Sequence, residues 1–238
     1  MLKPFTALCT LFQAVIATAS EPTFPFHEDF GAGAAERWHP FAGEWQFADG
    51  VAKQTSEDYD CGATVAVQPE GPYAVSIHYR PTGHFNGAGV FFALPTMERK
   101  HGGMMVRCDP GERILWGWFD EGGVFQFQGE TVFDGDGDCE QTLTVVVDPA
   151  KCGFNVYHDD ERVVTNQRTD HLTGYVGIQT SGGPHEILSF EVRPATEAEL
   201  AGIKTPGKYS RIVDIIGDIH GVIALRKDEK CLVQYGPD

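Results

Sequence analysis

The sequence predicts an all-β protein whose main body is one β-sandwich, and three observations predict it. Between residues 26 and 192, short apolar or alternating runs follow one another at close spacing, the pattern of a sandwich or barrel. Turn formers separate them, and glycine (28) and proline (14) are plentiful among the 238 residues, which suits many strands joined by tight turns better than helices. No helical periodicity is visible before Thr196.

Taken in order, Trp45-Gln46-Phe47 alternates and stops at the turn dipeptide Asp49-Gly50. In residues 72–80, Tyr73, Val75, Ile77 and Tyr79 share one face while Ala74, Ser76, His78 and Arg80 share the other. Residues 86–94 are nearly all apolar after a glycine lead-in, as in a strand buried on both faces. Residues 104–108 and 113–120 follow, and Glu121-Gly122-Gly123 turns into residues 124–127 as a hairpin. Residues 142–147, TLTVVV, are the most β-prone run, ended by Asp148-Pro149. Residues 153–157 and 162–165 form a second hairpin around His158-Asp159-Asp160-Glu161, and residues 174–180 and 186–192 close the series. Residues 196–200 read as one helical turn or a short helix.

The flanks differ in character. Lys3, an apolar stretch over 5–16 and Ala17-Thr18-Ala19 read as a signal peptide over 1–19, with Ser20 the first mature residue. That stretch is too short to stay in a bilayer, so the expectation is a secreted or periplasmic protein without membrane insertion. Residues 195–210, with Pro206-Gly207, read as a linker, and 211–238 as a tail or the start of an incomplete second domain. Beyond the signal peptide stand Cys61, Cys108, Cys139, Cys152 and Cys231, an odd number. Cys139 and Cys152 flank one strand and turn and could pair; buried thiols are the alternative. The formal charge of −16 repels phosphate backbones, which excludes nucleic acid as a partner. It is compatible with a neutral sugar or with calcium.

Four segments carry a family resemblance. They are Phe26 to Phe30 with Trp38, Gly43-Glu44-Trp45 and Asp49-Gly50; residues 72–94 with Asn86-Gly87-Ala88-Gly89-Val90; residues 143–147 with 156–163; and Gly174-Tyr175-Val176-Gly177-Ile178-Gln179 through Phe190. In these the chain resembles the concanavalin A-like lectin and glucanase superfamily, over residues 25–194. Within it the chain looks like the laminin G-like jelly rolls, and most like the 3-keto-disaccharide hydrolase type of domain. The resemblance implies a jelly-roll sandwich of two antiparallel sheets followed by a short C-terminal extension, with a glycan or small sugar on a concave face. No active-site signature of the hydrolase type can be matched residue by residue, and fold alone does not fix function.

The candidate site is a face of the central strands. His78 and Arg80 project from one strand; Trp116, Trp118 and Asp120 share parity on another; Arg107, Gln126 and Asn86 are placed on neighbours or at a strand start. Aromatic rings stack on the apolar faces of sugars, while Arg, Asn, Asp and Gln fix hydroxyls. The alternative is that the tryptophans are core. If the face is catalytic, His78 and Asp120 are the acid/base candidates. Asp134, Asp136 and Asp138, spaced by glycine, are either a calcium loop or a polar turn. A retaining glucanase needs paired carboxylates on one strand face, and no Glu-x-Asp-x-(x)-Glu run is present. Residues 215–221, with Asp218 and His220, resemble the first metal motif of calcineurin-like phosphoesterases, but no second Gly-Asp or Asn-His motif follows them. The expectation is therefore a secreted carbohydrate-binding or recognition sandwich, with glycoside cleavage as the alternative.

Overall fold

The computed structural model describes residues 22–81, 87–109, 113–132 and 139–206. The signal-peptide segment 1–19, Asn86, Asp134, Asp136, Asp138 and the tail 211–238 lie outside the described residues. Along the chain run β1 (Phe26–Glu28), α1 (Ala34–Arg37), β2 (Trp38–Ala42), β3 (Trp45–Ala48), β4 (Val51–Gln54), β5 (Cys61–Val65), β6 (Tyr73–Pro81) and β7 (Ala88–Leu94). There follow β8 (Met104–Asp109), β9 (Arg113–Phe119), β10 (Phe125–Val132), β11 (Gln141–Asp148), β12 (Gly153–His158), β13 (Glu161–Arg168), β14 (Tyr175–Thr180), β15 (His185–Pro194) and α2 (Glu197–Leu200).

The strands form two antiparallel sheets. Sheet I has the order β13-β12-β11-β6-β15-β4-β3, with β1 added beside β15; sheet II has the order β10-β9-β8-β7-β14-β5-β2. This is the predicted jelly-roll sandwich. The parity read for residues 73–79 places Tyr73, Val75, Ile77 and Tyr79 inward, where all four are buried. They meet Leu143, Val145 and Val147 of sheet I and Val90, Phe92, Val106 and Ile178 of sheet II in one apolar core. At one end of that core, Trp38 stacks on Phe47 with ring centroids 5.6 Å apart and meets Phe190 edge-on at 5.1 Å.

Sheet II departs from simple alternation. Its outer face carries a second apolar cluster, Phe91, Leu94, Met105, Leu115 and Phe119, with Phe41, Phe125 and Tyr175 packed on it. The β7–β8 connection folds back over this face. Thr64 donates to the Met97 carbonyl at 2.8 Å, and the Lys100 ammonium lies 4.4 Å from the Phe119 ring centre. Gly62 and Gly117 fit the same arrangement: a Cβ at either would collide with the ring of Phe41 or Phe125 lying across it.

The segment after β15 is fastened to the outer face of sheet I. Thr196 and Glu199 form a capping box at α2. Asn155 donates to the carbonyls of Glu199 (2.8 Å) and Ala201 (3.1 Å) and accepts from the Asn166 amide (2.8 Å). Tyr157 donates to the same Glu199 carbonyl at 3.1 Å. We expect Asn155→Ala to cost about 1–2 kcal/mol, because it leaves these buried partners unmatched. Hydrogen exchange should speed up in residues 196–204 and stay unchanged in β7; uniform exchange would refute the local anchoring.

All connections from an even-numbered strand to the next odd-numbered one lie at one end of the sandwich, because neighbouring strands are antiparallel throughout. The ends of β4, β8 and β14 and the starts of β5 and β15 therefore meet at this pole. Cys152, near the opposite end, is disulfide-bonded, but not to Cys139.

Candidate functional site

The structure separates the residues that the sequence places on one face. His78 and Arg80 lie on the outer face of sheet I. There Arg80 pairs with Glu140 and with Glu186 (3.0 Å), and His78 approaches Glu140 at 3.3 Å. Trp116 and Trp118 point between the sheets: Trp116 is 6% exposed and belongs to the core. Trp118 packs against that core and stacks on His171 at 5.1 Å. Asp120 closes a turn. Its carboxylate accepts from the amides of Val124 and Gly122 and from Gln126 Nε2, each at 2.9 Å. These donors, Val124 first, hold the carboxyl below its ordinary range, so both Asp120 and Gln126 are engaged with each other and the turn. Among the described members of the set, Arg107 alone lies on the outer face of sheet II. The expected single face is therefore corrected. Both faces of sheet II are apolar, so strand parity groups Trp116, Trp118 and Asp120 correctly but does not tell inside from outside.

Around Arg107 the pole end of sheet II carries a strip of alternating charge. Arg107 Nε donates to Asp109 Oδ1 at 2.7 Å, and its Nη1 stands 4.0 Å from Asp60 Oδ1. Asp60 also pairs with Lys100 (3.0 Å), Asp109 with Arg113 (3.0 Å), and Arg113 with Glu130 (3.0 Å). Three cations thus alternate with three carboxylates, and the strip is close to neutral in a chain of charge −16. The Arg107 and Asp109 side chains are only 16% and 10% exposed, so their mutual orientation is fixed more firmly than in a solvated pair.

In the cross-strand register, Gln179 of β14 stands opposite Gly89 of β7, and Gly89 opposite Arg107 of β8. A Cβ at Gly89 would collide with the Val106 carbonyl. Gln179 is fully buried, donates to the Thr180 carbonyl at 3.0 Å, and leaves its Oε1 without a partner. On the exposed margin, Phe127 stands opposite Gly117 on β10 and is 59% exposed, and Tyr59, beside Asp60, is 77% exposed.

Directly behind Gln179, inside the pole, lies a second polar group. His185 and Gln54 are register neighbours on sheet I, Thr180 and Cys61 on sheet II, and Gln54 Nε2 joins the two sheets by its 3.3 Å contact with Cys61 Sγ. Unpartnered among them are Gln54 Oε1, Thr180 Oγ1 and Ser181 Oγ, and the His185 ring has no partner beyond a weak contact with the Ser181 backbone. Leaving a buried polar atom unpaired costs about 1–3 kcal/mol, so this concentration at one pole requires an explanation. Burial, aided by the Arg107 charge, lowers the His185 pKa to about 4, against weaker opposing effects of the Ser181 backbone and Asp109. The imidazole is therefore neutral near pH 7.

Asp60, Asp109, Gln179, Ser181 and His185 were not singled out in the sequence. The available signal is the polar run Gln179-Thr180-Ser181 closing an otherwise apolar strand. Among the described residues no group of three or more His, Cys, Asp or Glu is placed to hold a metal ion. No helix among them is long and apolar enough to cross a membrane.

No protein-family model matches the chain, and no curated protein matches it. Solved structures do. A carbohydrate-binding module from Bacillus subtilis, CBM66, superposes with a TM-score of 0.55 at 14% identity, over 73% of this chain and 99% of that one. A protein of unknown function with a galectin-like fold, also from B. subtilis, gives 0.55 at 10% identity, over 74% and 98%. A native glycosidic hydrolase gives 0.52 at 11% identity, over 75% and 99%. At such identities the likeness speaks to architecture, and with the sheet topology it establishes that this chain has the galectin-like and concanavalin A-like jelly-roll fold.

Proposed function

We propose that this protein is an extracytoplasmic carbohydrate-binding domain that holds a neutral glycan along the outer face of sheet II. The observation that carries the reading is Arg107, oriented by Asp109 and flanked by Asp60, in a nearly charge-balanced strip beside the unpaired Gln179 carbonyl oxygen. A guanidinium fixed by a carboxylate presents donors in a set plane, the carboxylates accept from hydroxyls, and exposed Phe127 and Tyr59 offer stacking surfaces. A balanced strip favours a neutral, hydroxyl-rich ligand over an ion. The N-terminal segment and the disulfide at Cys152 support an oxidising, extracytoplasmic setting.

Titrating the full chain calorimetrically with neutral gluco-, fructo- and galacto-oligosaccharides tests this. At least one should bind, and Arg107→Ala should weaken it roughly tenfold or more, since a charged hydrogen bond contributes about 1.5–3 kcal/mol. If no neutral glycan binds, or the variant binds as tightly, the strip is not the site.

A second reading, cleavage of glycosides of the 3-keto-disaccharide type at the same strip, is supported by one feature: the carboxylates of Asp60 and Asp109 converge on Arg107 from two sides. Acid/base cleavage needs at least such a pair. Turnover of a 3-keto-glycoside, lost in Asp109→Asn, would support it; binding without turnover would leave recognition as the function.

A further inference from the structure

We propose that the interior of the pole, lined by Gln54, Thr180, Ser181 and His185, is a second pocket that binds one small, neutral, hydroxyl-rich molecule, distinct from the strip on the outer face. Gln54 and His185 belong to sheet I and Thr180 to sheet II, with Ser181 next to it in the chain, so the pocket lies between the layers. Gln54, Thr180 and His185 are each no more than 1% exposed, and Ser181 is 2% exposed.

The chemistry of the open atoms defines the ligand. Gln54 Nε2 is spent on the Ser56 carbonyl (3.0 Å), the Ser56 hydroxyl and Cys61 Sγ, so the side chain offers only an acceptor. Thr180 and Ser181 each offer a hydroxyl that donates and accepts. Neutral His185, with one ring nitrogen facing the Ser181 backbone, offers the other to a ligand. The set mixes donors with acceptors and carries no formal charge.

An anion would need cationic donors, and Arg107, whose charge reaches His185, is already paired with Asp109 at 2.7 Å. A metal ion would need a cluster of carboxylate, imidazole or thiolate ligands, and none is present among the described residues. A vicinal diol or a single sugar ring presents hydroxyls that donate and accept at short intervals, matching the set. Water matches the same atoms one at a time, and the experiment separates the two. The connections 55–60 and 181–184 meet over this end, where the Gly182 amide donates to the Asp58 carbonyl at 3.0 Å.

The test uses the full chain with glucose, fructose and glycerol as probes, and sodium phosphate and calcium chloride as charged controls. The readouts are the melting temperature and the ring-nitrogen NMR signals of His185. At tens of millimolar, at least one neutral probe should raise Tm and shift the His185 signals, while the charged controls do neither. Thr180→Val and Ser181→Ala should each weaken that probe roughly tenfold without lowering Tm, because they remove unpaired buried hydroxyls. Gln54→Leu provides a check should either of these fail to fold. Arg107→Ala should leave this probe's affinity unchanged even if it abolishes oligosaccharide binding, so failure of the pocket and failure of the outer strip are read separately. If no neutral probe moves Tm or the His185 signals, the pole holds ordered water only and the proposal falls.

Discussion

Trp116→Ala should destabilise the protein by about 3–5 kcal/mol, the range for removing a buried large aromatic side chain. Trp116 is 6% exposed, lies in the main core and covers Gly129 of β10, where any Cβ would strike the indole. The cavity would open between the sheets, where β8, β9 and β10 leave little freedom to collapse. For a chain of this size the loss should lower Tm by roughly 10 °C. Glycan affinity, measured well below the new Tm, should be unchanged. A variant that keeps its Tm and loses the glycan would return this tryptophan to the ligand-binding role and overturn the inward orientation.

That contrast shows what the sequence could and could not convey. Strand alternation is a strong signal where one face meets water. On β6, Tyr73, Val75, Ile77 and Tyr79 alternate with Ser76, His78 and Arg80, and the structure buries the first set and leaves the second outside. On β9 the signal fails, because Leu115 and Phe119 are buried in the outer apolar cluster while Ile114 and Trp116 are buried between the sheets. With both sets apolar, the polar ends Arg113 and Asp120 offered the only hint of direction. The short strand β5 escaped the sequence reading for a related reason: CGATV is buried throughout and has no alternation to recognise.

The candidate site was less legible still. Arg107 is identifiable as an isolated charge in an apolar strand, but its partners come from the β4–β5 connection (Asp60) and from two residues further along β8 (Asp109). No local pattern announces an ion pair that is closed by a distant loop. Gln179, Thr180 and Ser181 belong to a segment whose glycines and apolar residues mark the closing strands of the fold, so their polarity passed as part of that pattern. Their distinguishing property is a buried side-chain oxygen without a partner, which requires the pairing of β14 with β5 and β7 to be known.

His185 gives the second large effect, visible as a dependence of stability on pH. In the unfolded chain its imidazole takes up a proton below the ordinary 6.5; in the folded protein it does so only below about 4. Between these values the unfolded state binds more protons, so acidification favours unfolding. The contribution of neutral His185 is complete above pH 6.5, declines as pH falls from 6.5 to about 4, and is gone below that. A gap of roughly two and a half pH units corresponds to about 3 kcal/mol. Other groups titrate nearby. His158 is also lowered by burial, against Asp159 and Glu161, and acts in the same direction. Glu186 and Glu140, held low by Lys53 and Arg80 respectively, and Glu199, lowered to about 2 chiefly by Arg193, lose their contributions at more acidic pH. Comparing the wild-type chain with His185→Gln by urea unfolding at pH 7, 5.5 and 4 cancels those shared terms. The variant should lose the His185 part of the slope, so that the wild type falls by about 3 kcal/mol relative to it over this window. Parallel pH profiles would mean that His185 is solvated or fully paired in solution, and the buried, neutral imidazole would have to be abandoned.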